Sequence, residues 1–265
     1  MPSLAFYGSS LLSAYWNGAA TYYRGLIRDL AGRGWRTTFY EPDAFERQQH
    51  RDIDPPDWAR VVVYPATEAA ARGVIAEAAQ ADVVVKASGV GVFDDLLLVE
   101  LARTARPDAV RLFWDVDAPA TLAEIGASPD HPMRRVLPDL DLVLTYGGGP
   151  PVVEAYRGFG ARDCVPIYNA LDPDTHHPVP AEARFSADLA FLGNRLPDRE
   201  ARVEAFFLNP AAGLPERRFL IGGNGWEWRG APGEGGRRPP RPAPRPHTLH
   251  HPLCLTTSRP PHKSE

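Results

Sequence analysis

The 265-residue chain is 44% hydrophobic and 23% charged with a formal net charge of −4, enough apolar residue for a sizeable core in one or two domains. No apolar run approaches the ~20 residues that span a bilayer, no basic-then-apolar secretion signal opens the chain, and two cysteines, Cys164 and Cys254, supply neither a disulfide framework nor a zinc cluster. The expected compartment is the cytoplasm, and because residues 1–226 carry 22 basic and 30 acidic side chains, nucleic acid is not an expected partner.

In chain order, short β-rich runs at 4–7, 36–40, 60–64, 82–87, 110–114, 142–145 and 164–167 alternate with helical patterns at 19–31, 68–79, 93–104 and 152–159. The first helix is well marked: Asn17 reads as its cap, Tyr22, Leu26, Ile27 and Leu30 fall at helical spacing, and Gly32 and Gly34 stop it. Val61-Val62-Val63 and Val83-Val84-Val85 are apolar on both faces, as in a parallel sheet covered by helices on both sides. The expected class is α/β, a Rossmann-like doubly wound parallel sheet over residues 1–167.

Residues 168–186, with Pro173, Pro178 and Pro180, read as a linker. The βα pattern then restarts: a strand at 188–192, a helix at 198–208 with Val203, Phe206 and Phe207 apolar, and a strand at 218–221. Residues 187–226 are thus the start of a second Rossmann-like domain, short of a typical domain's length. Residues 227–265 hold 9 of the 28 prolines, 4 of the 8 histidines, and 7 basic against 3 acidic side chains. They show neither helical nor strand periodicity and read as a disordered tail. Three origins stand open: a native tail, a basic Pro-rich recognition segment, or translation in a shifted frame. Lys86 is the only lysine before residue 227, which points to a GC-rich gene. Wrong-frame translation of such DNA yields Arg, Pro, Gly and Ala, so the third origin is favoured, and the coding DNA decides.

In open α/β sheets ligands bind beyond the carboxyl ends of the strands. There the sequence places Gly8-Ser9-Ser10 and Trp16-Asn17-Gly18, Glu41-Pro42-Asp43, Lys86-Ala87-Ser88-Gly89, Asp115-Val116-Asp117, and Tyr146-Gly147-Gly148-Gly149. Gly18 leaves the N–H groups of a helix start open to an anion. Asp115 and Asp117, beside Phe113-Trp114, are either turn residues or a general base whose pKa partial burial would raise. Lys86 ends an apolar strand and calls for a carboxylate partner. The glycine run is either a plain turn or a cleft lining. His176-His177 have no second ligand pair, so no metal is expected. There is no GxGxxG, no Walker lysine and no GxSxG elbow, which disfavours a nicotinamide dehydrogenase and an α/β-hydrolase.

Three stretches carry a family resemblance: Trp16-Asn17-Gly18-Ala19-Ala20-Thr21-Tyr22-Tyr23, Val165-Pro166-Ile167-Tyr168-Asn169-Ala170-Leu171-Asp172 with His177-Pro178, and Asp188-Leu189-Ala190-Phe191-Leu192-Gly193-Asn194-Arg195 with Asp198-Arg199. Over about residues 3–226 the chain resembles GT-B glycosyltransferases of the kind grouped with the spore maturation protein CgeB. The resemblance implies two facing Rossmann-like domains, the first on the acceptor side and the second holding a nucleotide-sugar, with no metal or other cofactor. It implies Asn17, Gly18, Asn194 and Arg195 on the donor-phosphate side, and Lys86, Ser88, Tyr146 and Gly147 lining the acceptor side or cleft. Asp115 or Asp117 is the candidate base, although neither aligns with a family catalytic residue. Expected partners are a nucleotide-sugar donor and a carbohydrate, protein or small-molecule acceptor. The family's donor-gripping acidic pair would lie beyond Trp226, so the chain reads as truncated and is expected to turn over nucleotide-sugar poorly or not at all. A non-catalytic Rossmann-like module that binds a sugar, a nucleotide or a protein, and a nucleotide-sugar epimerase, are the competing readings.

Overall fold

The computed structural model describes residues 1–170, 172–173, 176–223, 225–226 and 253–255. They divide into two units, Met1–His177 and Pro178–Glu265, and the division falls inside the 168–186 stretch.

Unit 1 runs β1 (Ser3–Tyr7), α1 (Ala19–Gly32), β2 (Arg36–Asp43), β3 (Arg60–Pro65), α2 (Glu68–Glu77), β4 (Val83–Ala87), α3 (Asp94–Thr104), β5 (Val110–Asp115), α4 (Ala118–Ala127), α5 (Pro132–Val136), β6 (Leu142–Thr145), α6 (Gly149–Gly158) and β7 (Cys164–Pro166). Its seven strands pair in parallel in the order β3-β2-β1-β4-β5-β6-β7. The winding reverses between β1 and β4, which makes the loops after those two strands diverge and opens a crevice at the carboxyl edge.

Alternate strand residues serve opposite faces, as the pleat requires. Leu4 and Phe6 of β1 pack with Tyr23 and Ile27 of α1. Ala5 and Tyr7, on the other face, pack with Ala71 and Val74 of α2 and Leu97 of α3. Further along that second face, Phe113 and Val143 meet Ile125 of α4, Met133 of α5 and Tyr156 of α6. On the α1 face the ring of Phe6 lies 4.8 Å from Tyr23, 5.1 Å from Phe39 and 5.7 Å from Trp114. Such pairs contribute about 0.5–1.5 kcal/mol each beyond burial. Gly8 follows directly, and a Cβ there would stand 2.5 Å from the Phe39 ring, so the turn out of β1 needs glycine.

Several elements differ from the sequence reading. Glu41-Pro42-Asp43 belong to β2 and not to the loop after it, because β3 extends the pairing through Glu41↔Val63, Pro42↔Tyr64 and Asp43↔Pro65. Pro42 is tolerated because the β1 ladder has already ended at Tyr7↔Tyr40. The helices α4 and α5 were not foreseen; Pro119 and Pro132 start them, a position where proline's missing N–H costs nothing. The helix expected at 198–208 is α7 (Pro197–Val203), a π turn at Glu204–Leu208, and α8 (Asn209–Gly213). Pro210 cannot donate back to Phe206, and the widened turn absorbs the missing bond.

Unit 2 adds β8 (Leu189–Leu192), β9 (Phe219–Gly222) and β10 (Leu253–Leu255) in the order β10-β9-β8. β8 is parallel to β9, and β10 is antiparallel to it. Val203, Phe207, Phe219, Ile221 and Trp226 form its core. Of the expected unpatterned tail only 253–255 are described, as that third strand; the rest lies outside the described residues. Among the described residues no helix is long and apolar enough to cross a membrane.

Candidate functional site

The loop after β1 is built around two buried polar side chains. Asn17 accepts from Ser9 Oγ at 2.8 Å and donates to the carbonyls of Ser10 at 2.9 Å and Ser13 at 3.1 Å. It therefore does not cap α1, as the sequence reading had it: its amide is turned into its own loop by these three bonds, and no side chain caps the helix. The cap position is Gly18, which is exposed, and the first turn of α1 has neither a side-chain cap nor an acidic residue. Glu41, fully buried, accepts from Ser10 Oγ at 3.0 Å, Leu12 N at 3.3 Å and Gln48 Nε2 at 2.6 Å, and also from Leu11 N. These bonds hold the loop so that the open end of α1 stays uncovered.

At the ends of β4 and β5 the candidate residues separate into pins and a free group. Lys86 is buried and forms an ion pair with Asp94, which also accepts from Gly91 N at 2.7 Å. The lysine thus anchors the start of α3. Half-buried Ser88 donates its N–H to Trp114 O at 2.8 Å and accepts from Val116 N at 2.8 Å, stitching the two loops together. Asp115 has no exposure at all. Its Oδ1 accepts from Asp117 N and Thr121 Oγ1, both at 3.0 Å, and its Oδ2 accepts from Tyr156 Oη. Burial, and then the Asp115 carboxylate, push the Tyr156 hydroxyl pKa far above its ordinary value, so Tyr156 stays a donor. Asp117 is different: it sits exposed at the start of α4, and its carboxylate caps no N–H.

After β6, Tyr146 is half-buried against Tyr22, ring centres 5.3 Å apart, and burial raises its hydroxyl pKa. Gly147, Gly148 and Gly149 all have positive φ, at +156°, +89° and +56°. A Cβ on Gly148 would stand 2.2 Å from Val152 Cγ2, so the run is a turn that requires glycine there. Pro150 and Pro151 follow immediately and lack N–H groups. The start of α6 is therefore a poorer anion site than the start of α1.

In unit 2, half-buried Asn194 and Arg195 lie in the loop after β8. Arg195 pairs with Glu200, and its guanidinium stands 5.9 Å from the Trp226 ring. Trp226 Nε1 donates to Gly193 O at 2.6 Å, tying this loop to the one after β9.

The carboxyl edge of unit 1 thus gathers Asn17, Gly18, Lys86, Ser88, Asp115, Asp117, Tyr146 and Gly147. Asn194 and Arg195 occupy the corresponding edge of unit 2. The sequence reading missed Glu41 as a buried anchor, Tyr156 and Thr121 as partners of Asp115, and Arg47. Arg47 lies in the polar run Glu46-Arg47-Gln48-Gln49-His50, which carries no periodicity to single it out. A cavity of about 1000 Å³ opens away from this edge, at the amino ends of β1, β2 and β3 beside Trp35 and Trp58. Among the described residues no group of three or more His, Cys, Asp or Glu side chains could hold a metal ion.

No family model and no curated protein matches the chain. Among solved structures it is similar to an alpha-glucosyltransferase in complex with UDP-glucose and DNA containing an abasic site, at 10% identity over 84% of this chain and 57% of that one, with TM-score 0.48. It is similar to Anabaena Alr3699/HepE in complex with UDP and glucose, at 14% identity over 75% of this chain and 55% of that one, TM-score 0.49. BdcA (YjgI) from E. coli is 15% identical over 63% of this chain and 97% of that one, TM-score 0.37. The chain spans little more than half the length of the first two. The class its own fold defines is Rossmann-like α/β, with a seven-stranded parallel sheet; sheets of this kind generally bind ligands beyond their carboxyl edge.

Proposed function

We propose that the chain is a glycosyltransferase that uses a nucleotide-sugar donor, with the acceptor-side chemistry in unit 1. The observation that carries this reading is the presence, on one sheet edge, of an uncapped helix start at Gly18 and a carboxylate, Asp117, that caps nothing. Transfer forms a bond from an acceptor oxygen to the anomeric carbon and breaks the bond from that carbon to the diphosphate. The acceptor proton goes to Asp117, and the diphosphate leaves with the bonding electrons. N–H groups at the start of α1 favour negative charge of that kind. Asp115 is a positioning residue: it accepts the Asp117 N–H at 3.0 Å and fixes the backbone of the base. Asn194 and Arg195 are the donor contacts that the sequence resemblance supports in unit 2.

The test is single-turnover release of nucleoside diphosphate from labelled nucleotide-sugars at high protein concentration, run beside equilibrium binding. Asp117→Asn is expected to leave donor binding intact and lower transfer by about 100-fold or more, the scale of a lost general base. Donor binding without turnover, unchanged by that substitution, would establish a binding module in its place.

A further inference from the structure

Arg47 is 8% exposed, yet it lacks what the other buried or half-buried cations of unit 1 have. Arg24 holds Asp52 through two bonds of 2.8 and 2.7 Å, and Lys86 is paired with Asp94. Arg111 donates to the carbonyls of Ala102, Ala105, Arg106 and Ala109. Arg47 makes two long hydrogen bonds, both from Nη1, to Ser9 O at 3.3 Å and Val90 O at 3.4 Å. Its Nε is buried without a partner. Burial lowers the Arg47 pKa, and nearby Glu41 only partly opposes that, because the Glu41 oxygens are taken by Ser10, Leu11, Leu12 and Gln48.

The Phe45 ring lies over the guanidinium face, 4.9 Å from Cζ to the ring centre. Phe45 itself is held at φ +56° and is 55% exposed, and its ring covers Gly91, where a Cβ would stand 2.6 Å from Cε2. A non-glycine residue in that conformation is strained, and such strain persists at ligand clamps. A ring on the face leaves the in-plane edge, and the Nε and Nη2 donors on that edge form the fork that grips two oxygens of one group. A buried guanidinium with unused donors is costly unless an anion completes it.

We propose that Arg47 is the recognition residue of an oxyanion site among the loops after β1, β2 and β4, taking a carboxylate or phosphate group on Nε and Nη2. On the glycosyltransferase reading, on which this assignment of the ligand rests, the anion belongs to the acceptor, which is then an acidic or phosphorylated sugar and not a neutral one.

The experiment titrates the full chain with glucuronate, glucose 6-phosphate and glucose at constant ionic strength, by calorimetry and by the Arg47 Nε–Hε NMR signal. At least one anion is expected to bind about tenfold or more tighter than glucose and to move that signal; which of the two does so identifies the group. Arg47→Lys keeps the charge but loses the fork, and is expected to remove the preference. Equal binding of all three sugars, or a preference that Arg47→Lys leaves unchanged, overturns the proposal. Should that variant fail to fold, the signal in the unsubstituted chain decides: a shift with an anion and none with glucose supports the site, and no shift overturns it. Anion binding without any sugar transfer keeps this site and removes the transferase reading. Transfer to neutral acceptors with no anion preference does the reverse.

Discussion

Two aspartates two residues apart have opposite physical roles. Asp115 is buried with three donors on its carboxylate, and Asp117 is exposed at a helix start. In Asp115→Asn the carbonyl oxygen keeps two donors, but the new NH₂ faces the Tyr156 hydroxyl and strands its hydrogen. Buried hydrogen bonds to a charged group are worth about 1.5–3 kcal/mol. A loss of that size is expected in urea denaturation, with a similar loss for Tyr156→Phe and less than their sum for the double variant. Asp117→Asn is expected to stay within about 0.5 kcal/mol of the unsubstituted chain. Asp52 links a residue to pH. Burial alone would raise its pKa, but the hydrogen bonds from Arg24 and from Ala14 N–H outweigh that and hold it below the ordinary value. A group with a depressed folded pKa stabilises the fold above its unfolded value, about 3.9 for Asp, and loses that contribution as pH falls through the folded pKa. Stability is therefore expected to decline below about pH 4, and Asp52→Asn to flatten that decline in acid denaturation.

At the scale of elements, the strands from β1 to β9 and most helices were legible because their signals are local, whereas β10 lies in a stretch without strand patterning. Valine runs and a glycine stop after the first helix need no distant partner. What was missed depended on neighbours. β2 runs past Tyr40 because β3 lies beside it, and the π turn at Glu204–Leu208 exists because Pro210 follows. The loops after β8 and β9 show the same dependence. A Cβ on Gly223, at φ +125°, would stand 2.1 Å from Gly193 O. Neither the left-handed backbone nor the contact can relax without moving the carbonyl that Trp226 binds at 2.6 Å. Gly223→Ala is expected to cost about 1–3 kcal/mol, read as a lower unfolding midpoint for unit 2.

The whole molecule holds separate cores in its two units. A two-state description is then not expected to hold. Calorimetry is expected to resolve two transitions, with Gly223→Ala lowering the one that belongs to unit 2. The other can be followed by chemistry. Cys164 of β7 is buried, and burial pushes its thiol pKa up to about 11, which leaves little reactive thiolate at neutral pH. In a Cys254→Ser chain, Cys164 is expected to resist a thiol reagent until unit 1 unfolds, so its labelling should track that transition alone.

By itself the sequence determined the alternation of strands and helices and the α/β class. These follow from short-range patterns of apolar residues, glycines and prolines. Only the tertiary structure decided which polar groups on the carboxyl edge of unit 1 are occupied. Asp115 and Tyr156 are 41 residues apart, and Arg47 lies 38 and 43 residues from the carbonyls of Ser9 and Val90. Hydrogen-bond partners at such separations are set by how loops converge at the ends of a sheet, and no local spacing encodes that convergence. Asp115 and Asp117 therefore read alike in the sequence, and Arg47 passes unnoticed there. In the folded chain one aspartate is a pin and the other is open, and a buried guanidinium keeps donors to spare.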